Sequence, residues 1–198
     1  LDRAREHWSG TFIALFQPAE ETGEGAAAMV ADGLREKIPA PDICFAQHVM
    51  PGLAGEVMSK PGPQFAACDS IRITIPGRSA HGSMPHESID PTFTAAMILT
   101  RLQAIVGREV NPADFAVVTV ASMHAGSTNN IIPGSAELVL NCRFYSDEVK
   151  ARVYAAIERV VRAEVVASGI DAQPTISYFA HGGLLTNDAT VFSSIRPL

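Results

Sequence analysis

The sequence predicts an α/β region joined to an α+β domain, that is, part of a mostly parallel sheet into which a ferredoxin-like βαββαβ unit is inserted. Two observations carry this. Between residues 11 and 49 an apolar run, a helical stretch and a second apolar run follow one another, the βαβ order of a parallel sheet. From about residue 67 the segments turn half-polar and run strand, helix, strand, strand, helix, strand, the split-βαβ order. The expected limits are 1–66 for the first part of the parallel-sheet domain, 67–179 for the inserted domain and 180–198 for the return.

Each element has its own warrant. LDRAREHW reads as the charged tail of a helix, and TFIALF at 11–16 as a buried strand that gives out at Pro18. A loop carrying Glu20 and Glu21 leads to a helix from Gly25 to Leu34, with Met29, Val30 and Leu34 at helical spacing and Gly33 as a stop signal. DICFAQHV at 42–49 reads as a second buried strand, with His48 near its C-terminal end. Ligands of such sheets gather at the carboxyl ends of the strands, where the Glu pair and His48 both fall.

In the inserted domain, SIRITI at 70–75 alternates as a half-exposed strand ended by Pro76-Gly77. Asp90-Pro91 is a good N-cap and first-turn pair, so a helix is expected from there to Val106, with Phe93, Ala96, Met97, Thr100 and Ile105 as its face. FAVVTVASM at 115–123 and AELVLNCRFY at 136–145 are strands. Asp147 to Ala167 is the clearest helix, its stripe formed by Val149, Val153, Ala156, Ile157, Val160, Val161 and Val165. PTISYF at 174–179 closes the set, and a new helical segment begins after Asn187 and Asp188. A four-stranded antiparallel sheet with two helices on one face leaves an edge strand free, and a homodimer is the expected cover.

Composition excludes several classes of function. The 198 residues are 47% hydrophobic, enough for a sizeable core, and the formal charge of -6 offers no basic excess for nucleic acid. No apolar run approaches the roughly 20 residues that cross a bilayer, and the start is not a signal peptide. Cys44, Cys68 and Cys142 lie too far apart for a metal knuckle or a disulfide framework, so reduced thiols and a cytoplasmic protein are expected. The chain opens on Leu1, and both ends read as cuts through a larger protein.

Gln17-Pro18-Ala19-Glu20-Glu21 is the most informative pentapeptide, because adjacent carboxylates on an irregular loop can take different jobs. Amide hydrolysis at neutral pH needs an activated water, which a divalent metal supplies, and a general base beside it. Glu20 suits the base and Glu21 the ligand, with His48 able to share the metal. The plainer readings stay open: a solvated acidic loop at a helix N-terminus, and a core histidine. Two ligands fall short of a hydrolytic site, so others must lie outside the chain.

The FQPAEE segment, the QHV strand and the GRSAHGSMPH…DP stretch together resemble the metal-dependent amidohydrolases that include hippurate hydrolase, N-acyl amino acid aminoacylases and auxin-conjugate hydrolases. The resemblance covers nearly the whole chain. It implies a catalytic domain with two divalent metal ions (zinc, manganese, cobalt or nickel) and an inserted lid that mediates dimer contacts. It also implies roles: Glu20 as general base, Glu21 as a metal ligand, His48 as a ligand of the other metal, and His81 polarising the scissile carbonyl, generally in the partner subunit's site. Asn130, in a stretch resembling the family's G…NVIP turn, and Arg143 would bind the substrate, the guanidinium gripping a carboxylate. Leu140-Asn141-Cys142-Arg143 stands where the more usual pattern is Gly-Thr-x-Arg, and turn-capping and surface ion-pairing roles remain open for Asn130 and Arg143. The family's remaining ligands, a Cys and a His in an upstream HxCGHD-like motif and a His near the C-terminus, do not occur here. The expected function is hydrolysis of N-acyl amino acids; the alternatives are an exopeptidase or deacylase of acetylornithine or succinyl-diaminopimelate type, or a non-catalytic dimerisation module.

Overall fold

A computed structural model describes residues 2–195. The chain divides into two compact units, Leu1–Ala54 and Gly55–Leu198.

The first unit holds a short 3-10 turn at Asp2–His7 and two helices, α1 (Gly25–Ala31) and α2 (Leu34–Lys37), which meet at Gly33 in the left-handed region (φ 81). The helix read as running to Leu34 is thus broken at its stop signal. Neither 11–16 nor 42–49 is a strand. Both are irregular, and Phe16 and Phe45 are 86% and 69% exposed. The correction has a simple cause: an apolar run becomes a strand only where its N–H and C=O groups find a ladder partner. Neither segment finds one among the described residues, and every strand pair there is antiparallel.

The second unit begins with β1 (Gly62–Phe65) and β2 (Ala67–Pro76), then β3 (Ala80–His81) and α3 (Pro91–Glu109). It continues through β4 (Ala116–Ala125), β5 (Ile131–Ile132), β6 (Ser135–Phe144), α4 (Asp147–Ala167), β7 (Thr175–Gly182), β8 (Leu185–Asn187) and α5 (Ala189–Ile195). The central sheet has the order β4-β6-β2-β7, while β1 pairs with β8 and β3 with β5. In β2 and β6 burial alternates residue by residue, so Ile71, Ile73, Ile75, Leu138, Leu140 and Phe144 are sealed under the helices on one face. The other face carries Cys68, Ser70, Arg72, Asn141 and Arg143.

The α4 stripe is buried as its spacing predicts, and Ser146 caps the helix by accepting from the Val149 N–H. Asp90 caps α3 by accepting from the Thr92 and Phe93 N–H groups, a contribution of about 1 kcal/mol. The buried face of α3 differs from the expected one. Thr94, Ala95, Ile98, Leu102 and Ile105 face the core, whereas Phe93 is 62% exposed. The winning stripe sustains its spacing for about three turns, and Thr94 can be buried because its hydroxyl donates to the Asp90 carbonyl at 3.0 Å. No helix among the described residues is long and apolar enough to cross a membrane.

At one end of the sheet sits a buried carboxylate. Asp69 accepts from Tyr154, His181 and Lys150, the last at 2.6 Å. Ala180, at φ 49, and a register break opposite Cys68/Ser70 swing His181 into this contact. Burial raises the Asp69 pKa, but the three donors outweigh it and hold the carboxyl below its ordinary value.

Candidate metal and substrate sites

Glu20 and Glu21 lie in a turn closed by the Gly23 N–H donating to the Glu20 carbonyl at 2.9 Å, with the Thr22 hydroxyl on the Ala19 carbonyl at 3.1 Å. Ala19 enters this turn at φ 50, unusual for a residue with a side chain. Gly25 locks it from behind: a Cβ there would stand 1.5 Å from the Pro18 carbonyl oxygen, so the first residue of α1 must be glycine for the chain to pass this close.

One ligand atom from each of Glu20, Glu21 and His48 lies within 4.8 Å of the others. His48 Nε2 is 3.4 Å from Glu20 Oε1, and Nδ1 is 2.8 Å from the Val49 carbonyl oxygen. A carbonyl only accepts, so Nδ1 carries a proton, and Nε2 is the ring nitrogen that faces Glu20. Two carboxylates and an imidazole nitrogen with its other nitrogen so anchored suit a divalent ion of the zinc or manganese kind. All three residues are exposed.

In the second unit, His81 and Asn130 come together. The Gly82 N–H donates to the Asn130 carbonyl at 2.7 Å, His81 pairs with Ile131, and the Ser79 hydroxyl reaches the Ile132 carbonyl at 2.8 Å. Gly77 makes room at the start of this loop, since a Cβ there would come within 2.6 Å of the Ile89 carbonyl and the Pro91 ring. His81 Nδ1 accepts from the Ser83 N–H at 3.2 Å. A backbone N–H only donates, so the imidazole proton sits on Nε2, facing outward as a hydrogen-bond donor.

Arg143 is elsewhere. It lies eight residues along β6 from Ser135, about 27 Å at ~3.4 Å per residue, so His81 and Asn130 occupy one end of the sheet and Arg143 the other. Its Nε donates to Asn141 Oδ1 at 3.1 Å, and no carboxylate pairs with it among the described residues.

No motif marks Asp69 and His181, which are 112 positions apart and meet only because β2 and β7 are neighbours. Their only sequence signal was a charged residue on the inward side of an alternating strand. Cys142 is buried, which pushes its thiol up to about 12; Cys44 and Cys68 are also free thiols.

The family described as the peptidase dimerisation domain matches residues 69–168. N-acetyl-L-cysteine deacetylase of Bacillus subtilis is 32% identical over 99% of the chain and 46% of its own length. Hippurate hydrolase of Campylobacter jejuni is 33% identical over 96% of the chain and 50% of its own length. A solved Bacillus subtilis structure, described as a dinuclear metal binding peptidase from the M20 family, is 29% identical with a TM-score of 0.66, covering 90% of this chain and 43% of that one. The chain spans about half the length of the curated relatives it matches.

Proposed function

Since the chain belongs to the M20 peptidase family, whose dimerisation domain it carries at residues 69–168, we propose that its protein is a metal-dependent amidohydrolase cleaving N-acyl amino acids, hippurate-like substrates among them. The observation that carries this reading is the convergence of Glu20, Glu21 and His48 within 4.8 Å.

Residues 1–66 and 180–198 belong to a catalytic domain, and 67–179 form a ferredoxin-like lid; the order β4-β6-β2-β7 with α3 and α4 on one face supports the second assignment. Glu21 and His48 hold metal, as ligands of different ions in a two-metal site completed by residues outside this stretch, so the isolated stretch is inactive. When bound, a divalent ion makes water acidic enough to lose a proton near neutral pH. Glu20 takes the proton as the water oxygen attacks the acyl carbonyl, then returns it to the departing amine nitrogen. His81 Nε2–H donates to the carbonyl oxygen as negative charge grows on it. Asn130 adds a polar contact, and Arg143 grips the free α-carboxylate.

One chain cannot bring both ends of its sheet to a substrate of a few ångströms. That separation supports the reading that His81 and Asn130 serve a second copy of the chain, in a homodimer or larger assembly. The free edge of β4 and the exposed Phe93 and Met97 on neighbouring α3 supply an apolar contact face. No basic surface for nucleic acid enters this account, and three free thiols suit the cytoplasm. A deacylase of small acetylated amino acids is the second reading, favoured by the N-acetyl-L-cysteine deacetylase relative.

The test is complementation in the full-length protein. Glu20→Gln and His81→Ala variants should each be nearly inactive on an N-acyl amino acid. Co-expressed, they should recover roughly a quarter of parent activity, because half of randomly paired dimers are mixed and one of their two sites is intact. No recovery from folded mixed dimers would place His81 in its own subunit's site.

A further inference from the structure

We infer that Asn141 is a positioning residue that presents the Arg143 guanidinium end-on to a carboxylate, and that the ligand there is a planar monoanion with two free oxygens. The inference rests on the reading of Arg143 as the substrate anchor.

Arg72, Arg101, Arg152 and Arg159 of this unit meet acids, whereas Arg78 donates to the Glu87 carbonyl oxygen and Arg162 to Gln173 Oε1. Arg72 lies 3.2 Å from Glu137, Arg101 2.5 Å from Glu164 and Arg159 2.6 Å from Glu109. Each of these charges is cancelled within the fold. Arg143 instead gives its Nε–H to the side-chain oxygen of Asn141, two residues back on the same face of β6. An Nε–H only donates, which fixes the amide with Oδ1 toward Arg143 and Nδ2 away from it. Nδ2 lies 3.5 Å from Ser70 Oγ and 3.5 Å from Cys68 Sγ on β2, where Ser70 is the register partner of Asn141. Asn141 is thus held across the strand pair while it holds Arg143.

Two consequences follow from the chemistry of a neutral acceptor. The long arginine side chain carries rotamer entropy that binding must otherwise remove, and a hydrogen bond at Nε removes part of it beforehand. An amide also leaves the positive charge uncancelled, whereas a carboxylate in its place would compete with the ligand. With Nε committed, the fork left open is the pair of terminal NH2 groups, whose parallel N–H bonds match the two oxygens of a carboxylate. Small polar neighbours on this face, Ser70, Cys68 and Thr119 opposite Asn141, place no counter-charge beside that fork.

The experiment measures kcat and KM of the full-length, metal-loaded enzyme for an N-acyl amino acid and for its carboxamide. For Asn141→Leu the acid's KM should rise about tenfold, the scale of one lost charge-assisted hydrogen bond, with kcat nearly unchanged and the carboxamide unaffected. Asn141→Thr, which keeps a neutral acceptor, should restore most of the acid's KM, and thermal melting of both variants should match the parent. Arg143→Gln provides the reference. If it raises the acid's KM while Asn141→Leu does not, or if Asn141→Leu weakens acid and carboxamide equally, the positioning role is overturned and the anchor stands. If Arg143→Gln leaves the preference for the acid intact, the anchor itself is wrong and the inference falls with it.

Discussion

Replacing Glu20 by Gln in the full-length enzyme is expected to lower kcat by roughly 10² to 10⁴-fold while leaving KM within a few-fold, the usual cost of removing a general acid–base group. The glutamine keeps the size of the side chain and an acceptor oxygen, but it cannot take a proton from water or hand one to the leaving amine. Metal content separates this role from a ligand's. Glu21→Gln and His48→Ala should lower bound metal together with activity, whereas Glu20→Gln should lower activity with metal retained. Steady-state kinetics alongside metal analysis of purified protein decides it. Equal metal loss in all three variants would make Glu20 a ligand, and turnover within a few-fold of the parent would remove it from the chemistry.

The second large effect concerns stability. Asp69→Ala should destabilise the Gly55–Leu198 unit by about 3 kcal/mol, because it leaves the largely buried Lys150 side chain without its counter-charge and strips Tyr154 of its acceptor. Denaturant unfolding of parent and variant measures the difference, and a value within 0.5 kcal/mol of zero would show that the network contributes nothing net. Its pH dependence has a definite sign. The folded-state pKa of Asp69 lies below its ordinary value of 3.8, so the folded protein prefers the ionised form. The stabilisation is fully present at neutral pH and persists down to about the ordinary carboxylate value. It is lost as pH falls below 3.8 toward the lowered folded value. The gap between parent and variant should therefore hold steady from neutral pH to pH ~5 and narrow only in stronger acid.

How much of this was legible in the sequence depends on whether the deciding contact was local. The seven-residue apolar stripe of α4 has one possible buried side, and Asp90-Pro91 is a start signal that needs no tertiary context, so both helices begin where the pattern places them. The α3 face was not legible, because Phe93 and Met97 share helical spacing with Ala96 and Thr100 just as Ile98 does with Leu102 and Ile105. Only the sheet decides between the two stripes. TFIALF and DICFAQHV are apolar enough for buried strands, yet a strand is a relation between segments, and neither meets its partner among the described residues.

The candidate site divides along the same line. Glu20, Glu21 and His48 stood out as residue types near the ends of two apolar runs, and they do converge. Which ring nitrogen of His48 and of His81 meets the backbone could not be read, since each contact is made by one backbone group, the Val49 carbonyl and the Ser83 N–H. The separation of Arg143 from His81 was equally hidden, although it follows at once from the length of β6. The family resemblance already placed His81 in a partner subunit's site, and the separation within the second unit is compatible with that expectation.

The most direct test of the central claim is hydrolysis measured against metal content. Full-length protein stripped by a chelator should release no amino acid from an N-acyl amino acid. Adding back zinc, manganese, cobalt or nickel should restore release in proportion to the ions bound, saturating near two per chain. Undiminished turnover by the metal-free protein, or stoichiometric metal binding without release of amino acid from any N-acyl substrate, would contradict it.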